Sequence, residues 1–401
     1  GQDAYALAMG SYSKANAHMA VGIGAIANAT GTESTAVGAG SKASAKNSQA
    51  FGARNTASGQ NATAIGYGNT SKVEDTITMG TSNNANTGGG IAIGQNNLAD
   101  ATANGGRNAG STQIAIGRDN RAAREDTIAI GREAKAENDL SVAIGNRTEA
   151  TANAAIAIGT NGAPSGGNTY KTTASGFASI AVGMQSKATE RAATAVGGIA
   201  SATGASATAV GHGATANEKA SVAVGKNATV NKQKTTSNYE FSGSNGTPSP
   251  AGYNTETITV NSASAPAGGA VAGNYYDAGS AIAVGEGATV SDESDRAVVV
   301  GADAKTNGNA HYSVVLGSGS HADASDGFVG GHGSSVASRE SIAIGSGANV
   351  SGTENIRSQA IGFGATVIGT GAYDATAIGA TAQVSGVQGG VALGSGSLLS
   401  R

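Results

Sequence analysis

Thr127-Ile128-Ala129-Ile130-Gly131 is followed by Ser141-Val142-Ala143-Ile144-Gly145, and then by Ala155-Ile156-Ala157-Ile158-Gly159. The same phrase returns as Ser221-Val222-Ala223-Val224-Gly225. With Gly22 and Gly330 taken as members, the closing glycine recurs 23 times from Gly10 to Gly394, and ten of the 22 gaps are 14 residues. A fixed period this short belongs to a stacked solenoid, in which each coil contacts only its neighbours.

Between two phrases the chain has room for one flattened coil. Ile128, Ala129 and Ile130 alternate sides of a strand, and both sides are apolar, which marks a strand covered on both faces. Gly131-Arg132-Glu133 is a polar turn. Ala134-Lys135-Ala136-Glu137 alternates small apolar with charged residues, one face in and one face wet. Asn138-Asp139 supplies the second turn, with side chains that form Asx-turns and tolerate left-handed backbone. Each period therefore holds two short strands and two tight turns, and each strand pairs in parallel with its copy one coil later. The closing glycine suits a turn that needs positive φ or a close backbone approach.

One face of the Ile-Ala-Ile strand fills the coil, and the other needs a cover from outside it. Left wet, it would form an apolar stripe far larger than a soluble monomer tolerates. Copies of the same chain are the economical cover, and three around an axis would bury all three stripes. Two assignments of the faces are open. The favoured one puts Val and Ile inside, against Ala134 and Ala136, with Ala129 and Ala143 towards the neighbouring chains; the other reverses them.

Composition agrees with a thin core. Of 401 residues 64 are glycine, aromatics make up 4% and tryptophan is absent, so a core of Phe, Leu and Trp is excluded. Charged residues are 13% and the net charge is −3, which gives no support to a nucleic-acid footprint. There is no cysteine, hence neither a disulfide framework nor thiolate chemistry. No 18-residue apolar run offers a membrane-spanning helix, and residues 1–5 lack the features of a signal peptide, so the sequence reads as a mature or excised piece.

The phrase with its alanine strand and 14-residue spacing resembles the head repeat of trimeric autotransporter adhesins, the YadA-like heads. The resemblance covers about residues 1–225 and 281–401. It implies a left-handed parallel β-roll assembled as a homotrimer, exported to the surface of a Gram-negative bacterium and used in attachment and virulence. The whole proteins of that family add a neck, a coiled-coil stalk and a C-terminal outer-membrane barrel. None of these is present in 1–401, so secretion and membrane anchoring rest on the resemblance. Implied partners are host extracellular matrix, a host receptor, a glycan or another microbial surface.

The chain divides on this reading into 1–225, coils with small insertions near 99–111 and 160–177; 226–280, an inserted loop or hairpin excursion; and 281–401, further coils. Gaps there run from 13 to 17, as single-residue changes in tight turns would produce. The excursion holds Pro248, Pro250 and Pro266, three of the four prolines, together with Tyr239, Phe241, Tyr253, Tyr275 and Tyr276. Long loops in compact proteins carry function or are disordered, and tyrosine is favoured on surfaces both apolar and wet. These five aromatics are the candidate ligand-binding residues, with packing on a neighbouring chain as their other use.

Enzymatic chemistry finds no foothold. The histidines His18, His212, His311, His321 and His332 match no metal-ligand spacing. Asp292-Glu293-Ser294-Asp295 lacks the calcium-binding nonapeptide. Gly-x-Gly recurs without a following helix, so it is no phosphate loop. No cofactor is expected. The charges between Arg118 and Glu149 are mixed in sign and read as a solvated surface with ion pairs between coils or chains. The alternative to an adhesin is a structural rod that displays other domains and binds nothing.

Overall fold

The computed structural model describes residues 5–100, 112–160, 171–231, 280–291, 294, 296–352 and 354–401. They form two units, 1–228 and 229–401. Each is an all-β parallel solenoid, and no helix occurs among the described residues.

In the first unit, fifteen phrase strands run from Leu7–Met9 to Val222–Val224, each joined through a turn to a two-residue second strand such as Lys135–Ala136. Register is strict. Ile128, Ala129, Ile130 and Gly131 pair with Val142, Ala143, Ile144 and Gly145, while Lys135 and Ala136 pair with Glu149 and Ala150. Like therefore stacks on like, so one coil's side-chain choice repeats along a whole column.

The assignment of faces is the reverse of the favoured one. Ala129, Ala143 and Ala157 are fully buried inside the coil, facing Ala136, Ala150 and Ala174, with Thr127, Ala134, Ser141 and Thr148 beside them. Ile128 and Ile130 point outwards and are half-buried. The reason is width. A coil closed by two-strand walls and tight turns has room for methyl against methyl, and packing to native density leaves no place for a column of isoleucines between them. Branched side chains instead fill the open outer face of the sheet, where β-branched residues pack well.

The stacking glycine needs both of its properties. Gly131 and Gly145 have φ of +136° and +129°, and a Cβ at either would collide with the carbonyl of the next glycine in the column. Two members of the column differ from those read in the sequence. Gly24, not Gly22, lies between Gly10 and Gly38, because Gly22 takes the inward alanine position opposite Ala8 and Ala36. Gly331, not Gly330, follows Gly317, because Gly330 takes an outward position beside Leu316 and Ile344. The intervals from Gly10 to Gly24 to Gly38, and from Gly317 to Gly331 to Gly345, thereby all become 14 residues.

The second unit repeats the plan with a wider coil. Its second strands carry Val230, Val290, Val336, Val350, Val367 and Val384 inwards, all fully buried, where the first unit has alanine. Large faces small: Ala283 lies in the coil of Val290, Ala343 in that of Val350, Ala377 in that of Val384. Where Val329 and Val336 share a coil, Gly327 supplies the room; a Cβ there would sit 3.3 Å from Val336 Cγ1. The longer gaps are absorbed at one place. From Gly345 the first turn is as short as elsewhere, but seven residues, 351–357, join the inward Val350 to the inward Ser358, where 137–140 suffices in a regular coil. In the lengthened coils the extra residues number one to three and lie in the second turn, so most are insertions of two or three residues rather than the single-residue changes expected.

Candidate interaction surfaces

Each coil offers three kinds of surface, fixed by the alternation along its strands. The outer face of the phrase strands is apolar. In the first unit it carries Ile77, Ile91, Ile114, Ile128, Val142 and Ile156 in one column, and Met79, Ile93, Ile116, Ile130, Ile144 and Ile158 in the next. These side chains stay only partly buried even with stacked neighbours, and exposure reaches 38% at Ile77 and 42% at Met79. Completing the burial of one such side chain is worth about a third of the 1.5–3 kcal/mol of full burial, so roughly 0.5–1 kcal/mol. The outer face of the second strands is polar: Lys42, Thr56, Thr70, Arg121, Lys135, Glu149, Thr173 and Lys187. The third surface is the pair of edges formed by the turns.

The charged stretch forms ion pairs between coils. Arg147 Nε lies 2.6 Å from Glu133 Oε2, and Glu149 Oε1 receives Lys135 Nζ at 3.4 Å and Lys171 Nζ at 2.5 Å. The hydrogen bond from Arg147 holds the Glu133 carboxyl below the ordinary glutamate range. In the second unit Arg357 and Asp374 pair at 2.8 Å, and that bond lowers the Asp374 carboxyl.

A buried feature escaped the reading of the sequence. Asn55, Asn69, Asn83, Asn97 and Asn120 stack as a ladder at the end of the first turn. Asn83 Nδ2 donates to Met79 O at 2.9 Å, to Gly94 O at 2.7 Å and to Asn69 Oδ1 at 3.0 Å. Its Oδ1 accepts the backbone N–H of Asn97 at 3.0 Å and the Asn97 amide at 2.9 Å. The last rung, Asn120, accepts the N–H of Ala134 at 2.9 Å. Where an alanine at this place follows a coil without asparagine, its N–H turns back to the glycine instead, as from Ala200 to Gly197 O at 3.3 Å. The signal was present: these asparagines keep the glycine spacing, including the same 23-residue gap from Asn97 to Asn120.

Tyr239, Phe241, Tyr253, Tyr275 and Tyr276 lie outside the described residues. The points where their segment leaves and returns are described. It departs after Thr229–Val230, which pairs with Thr289–Val290, and returns at Ser280 before Ile282–Val284. It thus takes the place of a second turn. Residues 101–111 also follow a second strand, Leu98–Ala99, whereas 161–170 follow the phrase strand Ile156–Thr160 and take the place of a first turn. Among the described residues no group of three or more His, Asp or Glu is drawn together in the manner of a metal site. His311 is buried, and His321 Nε2 lies 3.8 Å from Asp323 Oδ2.

The fold and these surfaces define a class, an all-β parallel solenoid whose phrase-strand sheet presents a largely apolar outer face. Comparison with protein families gives it a place. The YadA head domain repeat (2 copies) matches residues 15–41, 29–55, 43–69, 114–134, 136–161, 174–198 and 202–228. The matched stretches, all before residue 229, are similar to the head repeats of YadA-like trimeric autotransporter adhesins. These heads are adhesin-type parts of surface-exposed proteins, structural and adhesive in kind. No curated protein matches the sequence.

Proposed function

We propose that this chain is the head of a homotrimeric bacterial surface adhesin, with the phrase-strand sheets of three copies facing one another. The observation that carries the reading is the largely apolar outer face, which repeats in register and stays partly exposed in the single chain. A stripe of that size is the mark of an association surface, and the similarity to YadA-like heads supports three as its number. The parent protein would be exported and held in a Gram-negative outer membrane by an anchor outside these residues.

Attachment is assigned to the segments that leave the coils, first of all 231–280 with Tyr239, Phe241, Tyr253, Tyr275 and Tyr276. The coils themselves offer small, regular, mostly polar outer surfaces, whereas interface hot spots favour tyrosine and arginine. Three copies on one rigid body gain avidity on a ligand-dense surface even when each contact is weak. Host matrix, host receptors, glycans and other microbial cells all suit such a head. The test is a binding screen of the trimer against these four classes, repeated after joining Asn231 to Ser280 by a short Gly/Ser turn. Attachment lost with an unchanged trimer supports the assignment. Attachment retained moves the site to the coils or to 101–111 and 161–170, and no binding by the intact trimer favours a rod that only displays other domains.

A further inference from the structure

The two edges of the first unit carry exposed charged side chains at the same levels. The residue after each stacking glycine forms a first-turn column that includes Arg118 and Arg132, which pair across adjacent coils. Their side chains are 50% and 41% exposed, and their Nε atoms lie 3.6 and 3.9 Å from Asp119 and Glu133; Arg132 also reaches Asn146 Oδ1 at 3.3 Å. On the opposite edge of the same two coils, the second-turn column carries Glu125 and Asp139, whose carbonyls accept Leu140 N and Ala154 N from the following coil, both bonds within 2.9 Å. Each exposed arginine of the first-turn edge, beside its own acid Asp119 or Glu133, thus stands level with the acidic Glu125 or Asp139 of the other edge.

A few coils on, both edges become apolar together. Phe177, 53% exposed, is in the second-turn column, with the Arg191 guanidinium 5.6 Å above its ring. Met184 and Ile199 are on the first-turn edge, stacked by the bond from Ile199 N to Met184 O at 2.7 Å. Ile199 has φ of +60° and is 48% exposed. A β-branched residue in the left-handed region is strained, and half exposed it recovers little of that cost within its own chain.

We propose that these edges form the seam between neighbouring copies of this chain, Arg118 and Arg132 of one copy lying against Glu125 and Asp139 of the next, with Phe177 meeting Met184 and Ile199. This rests on the trimeric reading above. A cyclic assembly has heterologous contacts, in which one patch meets a different patch on the neighbour. Three parallel copies with their sheets inwards bring a first-turn edge against a second-turn edge with equal coils at equal height. The seam fixes the axial register of the copies, a task that the apolar face, alike from coil to coil, performs poorly, since charge patterns set register and exclude wrong pairings.

The experiment is a charge swap in the full chain, read by sedimentation velocity over a concentration series at low salt. R118E/R132E and E125K/D139K should each raise the dissociation constant of the trimer about tenfold or more, and the fourfold variant should return it to within about threefold of wild type. High salt should shrink these differences. R121E/K187E makes the same change in net charge on the polar second-strand face, where both side chains are exposed, and should leave the constant unchanged. A trimer indifferent to the swaps, or a fourfold variant no better than the weaker pair, overturns the seam while sparing the trimer. A wild-type chain that stays monomeric at every concentration overturns both.

Discussion

Replacing Asn83 by alanine tests whether the buried ladder holds the coils together. The substitution removes the donors to Met79 O, Gly94 O and Asn69 Oδ1, and the acceptor for Asn97 N–H. The Asn97 N–H then lacks its bond in a buried place, which costs about 1–3 kcal/mol, and the carbonyls that lose a donor add a smaller amount. A shift of the N–H back to the glycine carbonyl, as at Ala200, returns part of this. The net loss should be about 3 kcal/mol, local to the coils on either side, because solenoid stability is a sum of near-neighbour terms. At 1.4 kcal/mol per decade that is a fall of about a hundredfold in amide protection. Hydrogen exchange measured by NMR on the amides of Asn97 and Gly94 should show it, with Ala200 unchanged. Asn83→Ser should fall between, because Ser41 at the equivalent place donates to Gly52 O at 2.8 Å. Asn97 protection within twofold of wild type would refute the reasoning, since no orphaned N–H would then have been created.

Ala143→Asp buries an unpaired carboxylate in the coil and should prevent folding of the surrounding coils, whereas Ile144→Asp, on the outer face, should leave the circular dichroism of the chain intact and abolish association; the two variants behaving alike would place the faces wrongly. Val336→Ala removes two buried methyl groups opposite Val329 and should cost about 1.5–3 kcal/mol by denaturant titration of the second unit. Glu133 has its carboxyl lowered by the Arg147 hydrogen bond, so the pair's contribution is complete above the ordinary glutamate value of 4.5 and is lost as pH falls through the lowered one. Glu133→Gln should therefore destabilise slightly at pH 7, by about 0.5 kcal/mol for so exposed a pair, and not at all near pH 2.

The plan of the coil was legible because it is written in backbone chemistry. Gly131, the Ala134–Ala136 alternation and the Asn138-Asp139 turn each admit one local structure, and stacking repeats them. The direction of the faces was not legible from Ile128, Ala129 and Ile130 alone, since both kinds of side chain are apolar. What decides it is the width of the closed coil, set by Ala136 on the opposite wall, a contact between residues that the pattern of either strand leaves unspecified. Gly22 and Gly330 misled for a related reason: each is a glycine in a side-chain position next to the glycine the turn requires. The asparagine ladder kept the period in full view, but its hydrogen bonds run between coils and become apparent only once the coils are stacked. Of the candidate site, the attachment points of 232–279 are described and its five aromatics are not.

The central claim is that the apolar phrase-strand face of each chain is covered by two others. Sedimentation equilibrium of the chain carrying a trimeric coiled coil at its C-terminus, compared with the same chain bearing Ile130→Asp and Ile144→Asp, tests it most directly when the coiled coil is then removed by a protease. The wild-type head should remain a mass of three chains after cleavage at micromolar concentration, and the double variant should fall to one. A cleaved wild-type head that sediments as a stable, soluble, folded monomer would contradict the account.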